Sequence, residues 1–95
     1  MPVAVRLEFN KLGISDYDAV CKALNFPGDW PDGLLAHGSS EENGSLRVVD
    51  VWESRGQFDR FVDSRLGPAM GEALGDRGEQ PNVVEAPLHS FYVKS

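Results

Sequence analysis

Apolar residues in this chain switch repeatedly between the strand spacing and the helix spacing, and the order of those switches leaves few folds open. Val3-Ala4-Val5-Arg6-Leu7-Glu8-Phe9 alternates, with Val3, Val5, Leu7 and Phe9 on one face of a strand and Ala4, Arg6 and Glu8 on the other. Ser15-Asp16-Tyr17-Asp18 predicts a helix start, with Ser15 as the cap and Asp18 three residues on. Tyr17, Val20, Cys21 and Leu24 form the apolar stripe of that helix. Asn25-Phe26-Pro27-Gly28 ends it, and Asp29 to Gly33 reads as a turn-rich loop. Gly33 to Ser39 and Ser45 to Trp52 read as paired strands around the loop Ser40-Glu41-Glu42-Asn43-Gly44. Setting Ser39 opposite Ser45 puts His37 against Arg47, Leu35 against Val49 and Leu34 against Asp50. Leu34, Ala36, Val48, Asp50 and Trp52 then share one face, and Leu35, Val49 and Val51 the other. Ser54-Arg55-Gly56-Gln57 has the form of a capping box, and Phe58, Phe61, Val62, Leu66, Ala69, Met70, Ala73 and Leu74 hold the helix period beyond it. Pro68 predicts a kink in this second helix and Gly75 its end. Asp76 to Pro81 is a polar loop, and Asn82 to Lys94 a last strand interrupted at Pro87.

Strand, helix, strand, strand, helix, strand within 95 residues describes one domain, residues 1–95. The fold class is α+β: a ferredoxin-like βαββαβ unit with a four-stranded antiparallel sheet and both helices on one face. The uncovered face is expected to carry Arg6, Glu8, Leu34, Ala36, Val48, Asp50 and Trp52. So much apolar surface rarely stays in water, and a second copy packed sheet against sheet would cover it and enclose a cavity. The expected assembly is a homodimer that forms an α/β barrel. Nine basic residues against fifteen acidic leave a net charge of −6, the wrong sign for nucleic acid or an anionic membrane surface. The single cysteine excludes an internal disulfide. No apolar run reaches membrane-spanning length and no charged-then-apolar segment opens the chain, so the expected location is the cytoplasm.

Arg6, Glu8 and Asp50 are the charged residues of an otherwise apolar face, and charge in a covered cavity must be paired. One reading makes them an ion-pair network that fixes the sheet or the dimer. The other makes Asp50 or Glu8 a general base and Arg6 the partner of a developing anion. Trp52 either stacks against a ring-shaped ligand or closes the core where the third strand meets the second helix. Leu34, Ala36 and Val48 would wall the same cavity. His37 and His89 are the two histidines, the side chains suited to moving protons near neutral pH. No ligand spacing joins them or Cys21, so no metal site is expected.

The run Val48-Val49-Asp50-Val51-Trp52-Glu53-Ser54, followed by Phe58, Phe61 and Leu66-Gly67-Pro68, resembles the dimeric α/β-barrel superfamily, and within it the antibiotic biosynthesis monooxygenase-like branch. The resemblance implies a barrel cavity in which some members oxygenate polycyclic aromatic molecules without a cofactor, some bind or degrade haem, and others isomerise or dehydrate. It also implies a dimer that sets the second strand of one chain beside the fourth of the other, where His37 and His89 from different subunits would meet in a composite catalytic site. Where that branch carries a histidine early in the helix after Trp52, this chain has Phe61-Val62, and Asp50 replaces an asparagine as the polar partner of Trp52. Two functions follow. One is a monooxygenase-like or proton-transfer enzyme acting, without a cofactor, on a small hydrophobic ring-containing molecule; haem on a single histidine is the one cofactor the resemblance would add. The alternative is a dimer that binds such a ligand without catalysis, or one whose interior is filled. A cavity of several hundred Å³ would favour ligand binding over a filled interior.

Overall fold

The computed structural model describes residues 2–94. Strands β1 (Val3–Glu8), β2 (Leu34–Glu42), β3 (Ser45–Trp52) and β4 (Asn82–Pro87) form one antiparallel sheet in the order β2-β3-β1-β4. Helices α1 (Ile14–Leu24), α2 (Arg55–Phe61) and α3 (Gly67–Leu74) complete the ferredoxin-like pattern, with α2 and α3 making up its second helical arm. The sheet is open, not closed into a barrel.

Helix α1 is capped two residues earlier than expected. Gly13 is the capping position, and its N–H donates to Asp16 Oδ2 at 2.9 Å. Asp16 also pairs with Arg77, and these two donors hold its carboxyl below the usual range. Arg77 follows α3, so this pair clamps the two helical arms together. Glu79 does similar work, taking the N–H groups of Asn10 and Lys11 at 2.8 Å each.

The second arm bears out the Ser54 cap, whose Oγ accepts from the Gln57 N–H. The expected kink at Pro68 takes the form of a π-helical turn, Val62–Leu66, with Pro68 in the first turn of α3. A widened turn accommodates the donor that proline lacks. Gly67 closes it tightly: a Cβ there would stand 3.1 Å from the Val62 carbonyl oxygen.

The hairpin differs from the expected one. Strand β2 runs on through Glu42, and Asn43-Gly44 alone turns the chain, at φ 52° and 82°. Two successive positive φ values match the twist of the flanking strands. Glu42 therefore faces Ser45, and His37 faces Asp50 in place of Arg47. A bulge between Leu34 and Ala36 then lets Leu34 face Trp52.

This register corrects the expected faces. Val3, Val5 and Leu7 lie opposite Trp52, Asp50 and Val48, and cross-strand partners share a side. All six are buried beneath the helices, with Leu34. Arg6, Glu8 and Ala36 belong to the other face and pair with Val49, Arg47 and Val51. That face is uncovered within one chain. It presents Ala36, Val51, Ala4 and Ala86 in one row and Gly38, Val49, Arg6 and Val84 in the next, with Val49 49% exposed. The expected last strand is also shortened. Leu88 still donates to the Pro2 carbonyl at 3.0 Å, but Phe91, Tyr92 and Val93 lie exposed beyond it.

Candidate functional site

A partly buried chain of polar side chains crosses the helix-covered side of the sheet. Asp50 on β3 lies beside His37 on β2 because the hairpin register makes them partners, and Asp50 Oδ1 is 2.6 Å from His37 Nδ1. Asp50 Oδ2 accepts from the Trp52 indole N–H at 3.2 Å. On the far side of the imidazole, His37 Nε2 is 2.6 Å from the hydroxyl of Tyr17, which α1 brings over β2. Phe26, in the loop after α1, sets its ring edge-on to the imidazole at 4.8 Å.

The direction of these bonds follows from the donor inventory. An indole N–H can only donate and a carboxylate only accepts, so Asp50 takes protons from both sides. In its neutral form His37 then carries its proton on Nδ1, and its Nε2 is the acceptor for the Tyr17 O–H. Burial pushes the Tyr17 phenol up to about 12, and the Asp50 charge adds to that shift. Tyr17 is thus held as a neutral donor aimed at a basic nitrogen. Among the described residues no buried side-chain polar atom lacks a partner. A molecule that reaches His37 Nε2 must displace the tyrosine hydroxyl, at a cost of about 1–3 kcal/mol unless the phenol finds a new partner.

This relay opens on a cavity of about 80 Å³ between sheet and helices. Its walls are mostly Leu, Val and Phe side chains, and Asp16, Tyr17, Cys21, His37 and Asp50 are the polar or ionisable residues that reach it. No Lys or Arg lines it. The volume falls below the several hundred Å³ that distinguishes ligand binding by size alone. Among the described residues no group of three or more His, Cys, Asp and Glu side chains could hold a metal ion. His37 also does not suit haem, since the cavity beside it has no room for a macrocycle.

The structure therefore regroups the expected site residues. Asp50, His37, Trp52, Leu34 and Val48 all line this inner cavity. Arg6 and Glu8 are on the opposite side of the sheet, where Glu8 accepts from Asn82, and neither can serve Asp50. The cause is the period of the strand. Once Val5 and Leu7 take the helix side, residues 6 and 8 must point away. Ala36 goes with them. His89 lies exposed past the end of β4, at the sheet edge opposite β2. Three strand spacings, about 14 Å, separate those edges within one chain. Trp52 is fully buried and meets Phe58 and Phe61 at 5.7 and 5.4 Å, the core-closing role. Its N–H on Asp50 adds a polar role to that packing. Tyr17 and Phe26 were not expected here. The signal was a tyrosine on an apolar stripe, whose hydroxyl must find a partner once the stripe is buried.

No family model matches the sequence, and no curated protein matches it. Solved structures do. The chain is similar to Rv0793 from Mycobacterium tuberculosis at 24% identity, a TM-score of 0.65, and 95% coverage of this chain against 98% of that one. It is similar to SnoaB, a cofactor-independent oxygenase from Streptomyces nogalater, at 12% identity and a TM-score of 0.64 over 98% of this chain and 97% of that one. A dimeric ferredoxin-like protein of unknown function from Thermobifida fusca is 14% identical, with a TM-score of 0.63 over 93% and 92%. The resemblance read from the sequence holds at the level of fold.

Proposed function

We propose that this protein is a homodimeric enzyme that uses His37 to take a proton from a small, hydrophobic, ring-containing molecule, at a weakly acidic hydroxyl or a carbonyl-activated C–H. The observation that carries this reading is the partly buried Tyr17–His37–Asp50–Trp52 relay, which lines a mostly apolar cavity. Asp50 orients the imidazole through Nδ1 and stabilises the imidazolium that forms when Nε2 takes the proton. Trp52 fixes the carboxylate. Tyr17, displaced from Nε2, donates to the phenolate or enolate oxygen left behind. Such an anion precedes isomerisation, when the proton returns to another atom, and it precedes attack on dioxygen in cofactor-free oxygenation. The kinship in fold with SnoaB supports keeping both outcomes. The uncovered sheet face and the dimeric Thermobifida fusca neighbour support assembly through that face.

The test is deuterium exchange at the α-carbon of α-tetralone in D₂O, followed by NMR. The chain should accelerate exchange, and His37→Gln should abolish the acceleration. Equal rates for the two proteins would refute His37 as the base. A second reading, a ligand-binding or filled-interior dimer without catalysis, is favoured by the small cavity and its fully paired polar atoms. It predicts no acceleration by either protein.

A further inference from the structure

Two cavities lie in series under the helices and share a wall. The inner one holds the relay and runs from β2 across β3 to Leu7 on β1. The outer one is a solvent-open groove of about 630 Å³ that runs from Leu7 on β1 to Val83 on β4, under α2 and α3. Leu7, Leu66 and Met70 line both. Leu7 belongs to the rigid centre of the sheet. The other two partition residues do not: Leu66 ends the π-helical turn, and Met70 is a half-buried, unbranched side chain on α3. π-Turns recur at functional sites, and methionine adapts its shape at low cost.

We infer that the groove is the second half of the substrate site, with Leu66 and Met70 as a movable partition between the reacting head and the rest of the molecule. The inference rests on the relay acting as proposed above. It names a substrate class that the inner cavity could not hold alone: an elongated, uncharged molecule whose acidic ring hydroxyl or enolisable carbonyl meets His37 and whose apolar tail lies over Val83. Two strand spacings separate β2 from β1 and three separate it from β4, so such a molecule must reach about 10 Å beyond the imidazole to enter the groove and about 14 Å to lie over Val83. Charge supports the neutral tail. The groove is rimmed by Asp59, Asp63 and Glu79 against Arg55, and Arg55 is already committed to Asp59 at 2.9 Å and Glu85 at 3.5 Å. A carboxylate or phosphate entering there would meet net negative charge.

Gly71 provides the test. It lines the groove on the exposed side of α3, and a Cβ built there meets no atom within 4 Å. A larger side chain there meets no clash at its Cβ and stands at the wall of the groove. Binding of phenol, 4-ethylphenol and 4-butylphenol is measured by calorimetry on the intact protein, with 4-(4-hydroxyphenyl)butanoate as the charged-tail control. Affinity should rise about threefold to fourfold for each methylene that enters the groove, and the butanoate should lose that gain. In Gly71→Trp the gain from phenol to 4-butylphenol should collapse, and Gly71→Leu should reduce it if the tryptophan variant does not fold. A gain that persists in the folded variants, or no gain in the parent protein, would overturn the two-chamber site. If phenol binds the parent and His37→Gln weakens it, such a result removes the groove alone and leaves the proton-transfer reading standing. If phenol itself does not bind, both fall.

Discussion

Asp50→Asn separates a working relay from a merely buried carboxylate. The amide keeps the shape but offers one acceptor and one donor where the carboxylate offers two acceptors. If the amide oxygen stays on the Trp52 N–H, the NH₂ group faces His37 Nδ1, which must then be unprotonated. The imidazole proton moves to Nε2, and Nε2–H points at the Tyr17 oxygen, 2.6 Å away. Only the Tyr17 O–H loses its acceptor, and it is stranded unless Ser39 or Cys21 beside it takes the hydrogen bond. With the amide reversed, its NH₂ would confront the Trp52 N–H and strand two donors, the worse arrangement. One stranded buried donor costs about 1–3 kcal/mol, so the melting temperature should fall by at least about 4 °C. Urea unfolding measures the loss, and long-range ¹H–¹⁵N NMR of the imidazole reads the tautomer. The parent should show the Nδ1–H form and Asp50→Asn the Nε2–H form, with proton abstraction lost. A variant that keeps the Nδ1–H tautomer, with stability within about 0.5 kcal/mol of the parent, would refute the bond directions on which the relay rests.

Further outcomes follow from the same geometry. Because the folded-state Tyr17 phenol is raised from 10.0 to about 12, its contribution to stability is full below pH 10 and is lost as the pH rises towards 12. Alkaline urea titrations should show that extra loss in the parent and not in Tyr17→Phe; parallel curves would contradict the burial of the phenol. Trp52→Ala should cost about 3–5 kcal/mol as a large core truncation, by the same unfolding assay. A loss within about 0.5 kcal/mol would mean that Trp52 does not lie in the core. Light scattering after gel filtration should give twice the chain mass for the parent and a single-chain mass for Val49→Asp, whose charge falls in the middle of the uncovered face. A parent that is a monomer at micromolar concentration would remove the proposed dimer.

Element order and type were legible because the period changes are clean: Val3 to Phe9 alternates, and Phe58 to Leu74 keeps the helical stripe with Ser54 and Gln57 at its head. What the pattern could not settle was which side of β3 meets the helices. Val48, Asp50 and Trp52 alternate with Val49 and Val51, and both sets are apolar enough to be buried. The deciding facts are long-range ones: Val5 opposite Asp50, and a hairpin turned by Asn43-Gly44 alone. The polar run Ser40-Glu41-Glu42 resembles a loop because it forms the exposed end of an edge strand, where burial imposes no alternation. For the site, Asp50, His37 and Trp52 were legible as residues, and their grouping with Arg6 and Glu8 was not. The contact of Tyr17 with His37 depends on how α1 crosses β2, which local spacing does not encode.

In the proposed function the working chamber lies between the sheet and its own helices, at His37, and not on the uncovered face. A ¹H–¹⁵N correlation spectrum recorded while phenol is added tests this directly. Shifts should concentrate at Tyr17, His37, Val48 and Asp50, with Ala4, Arg6 and Val84 unmoved. Shifts confined to the second group would contradict it.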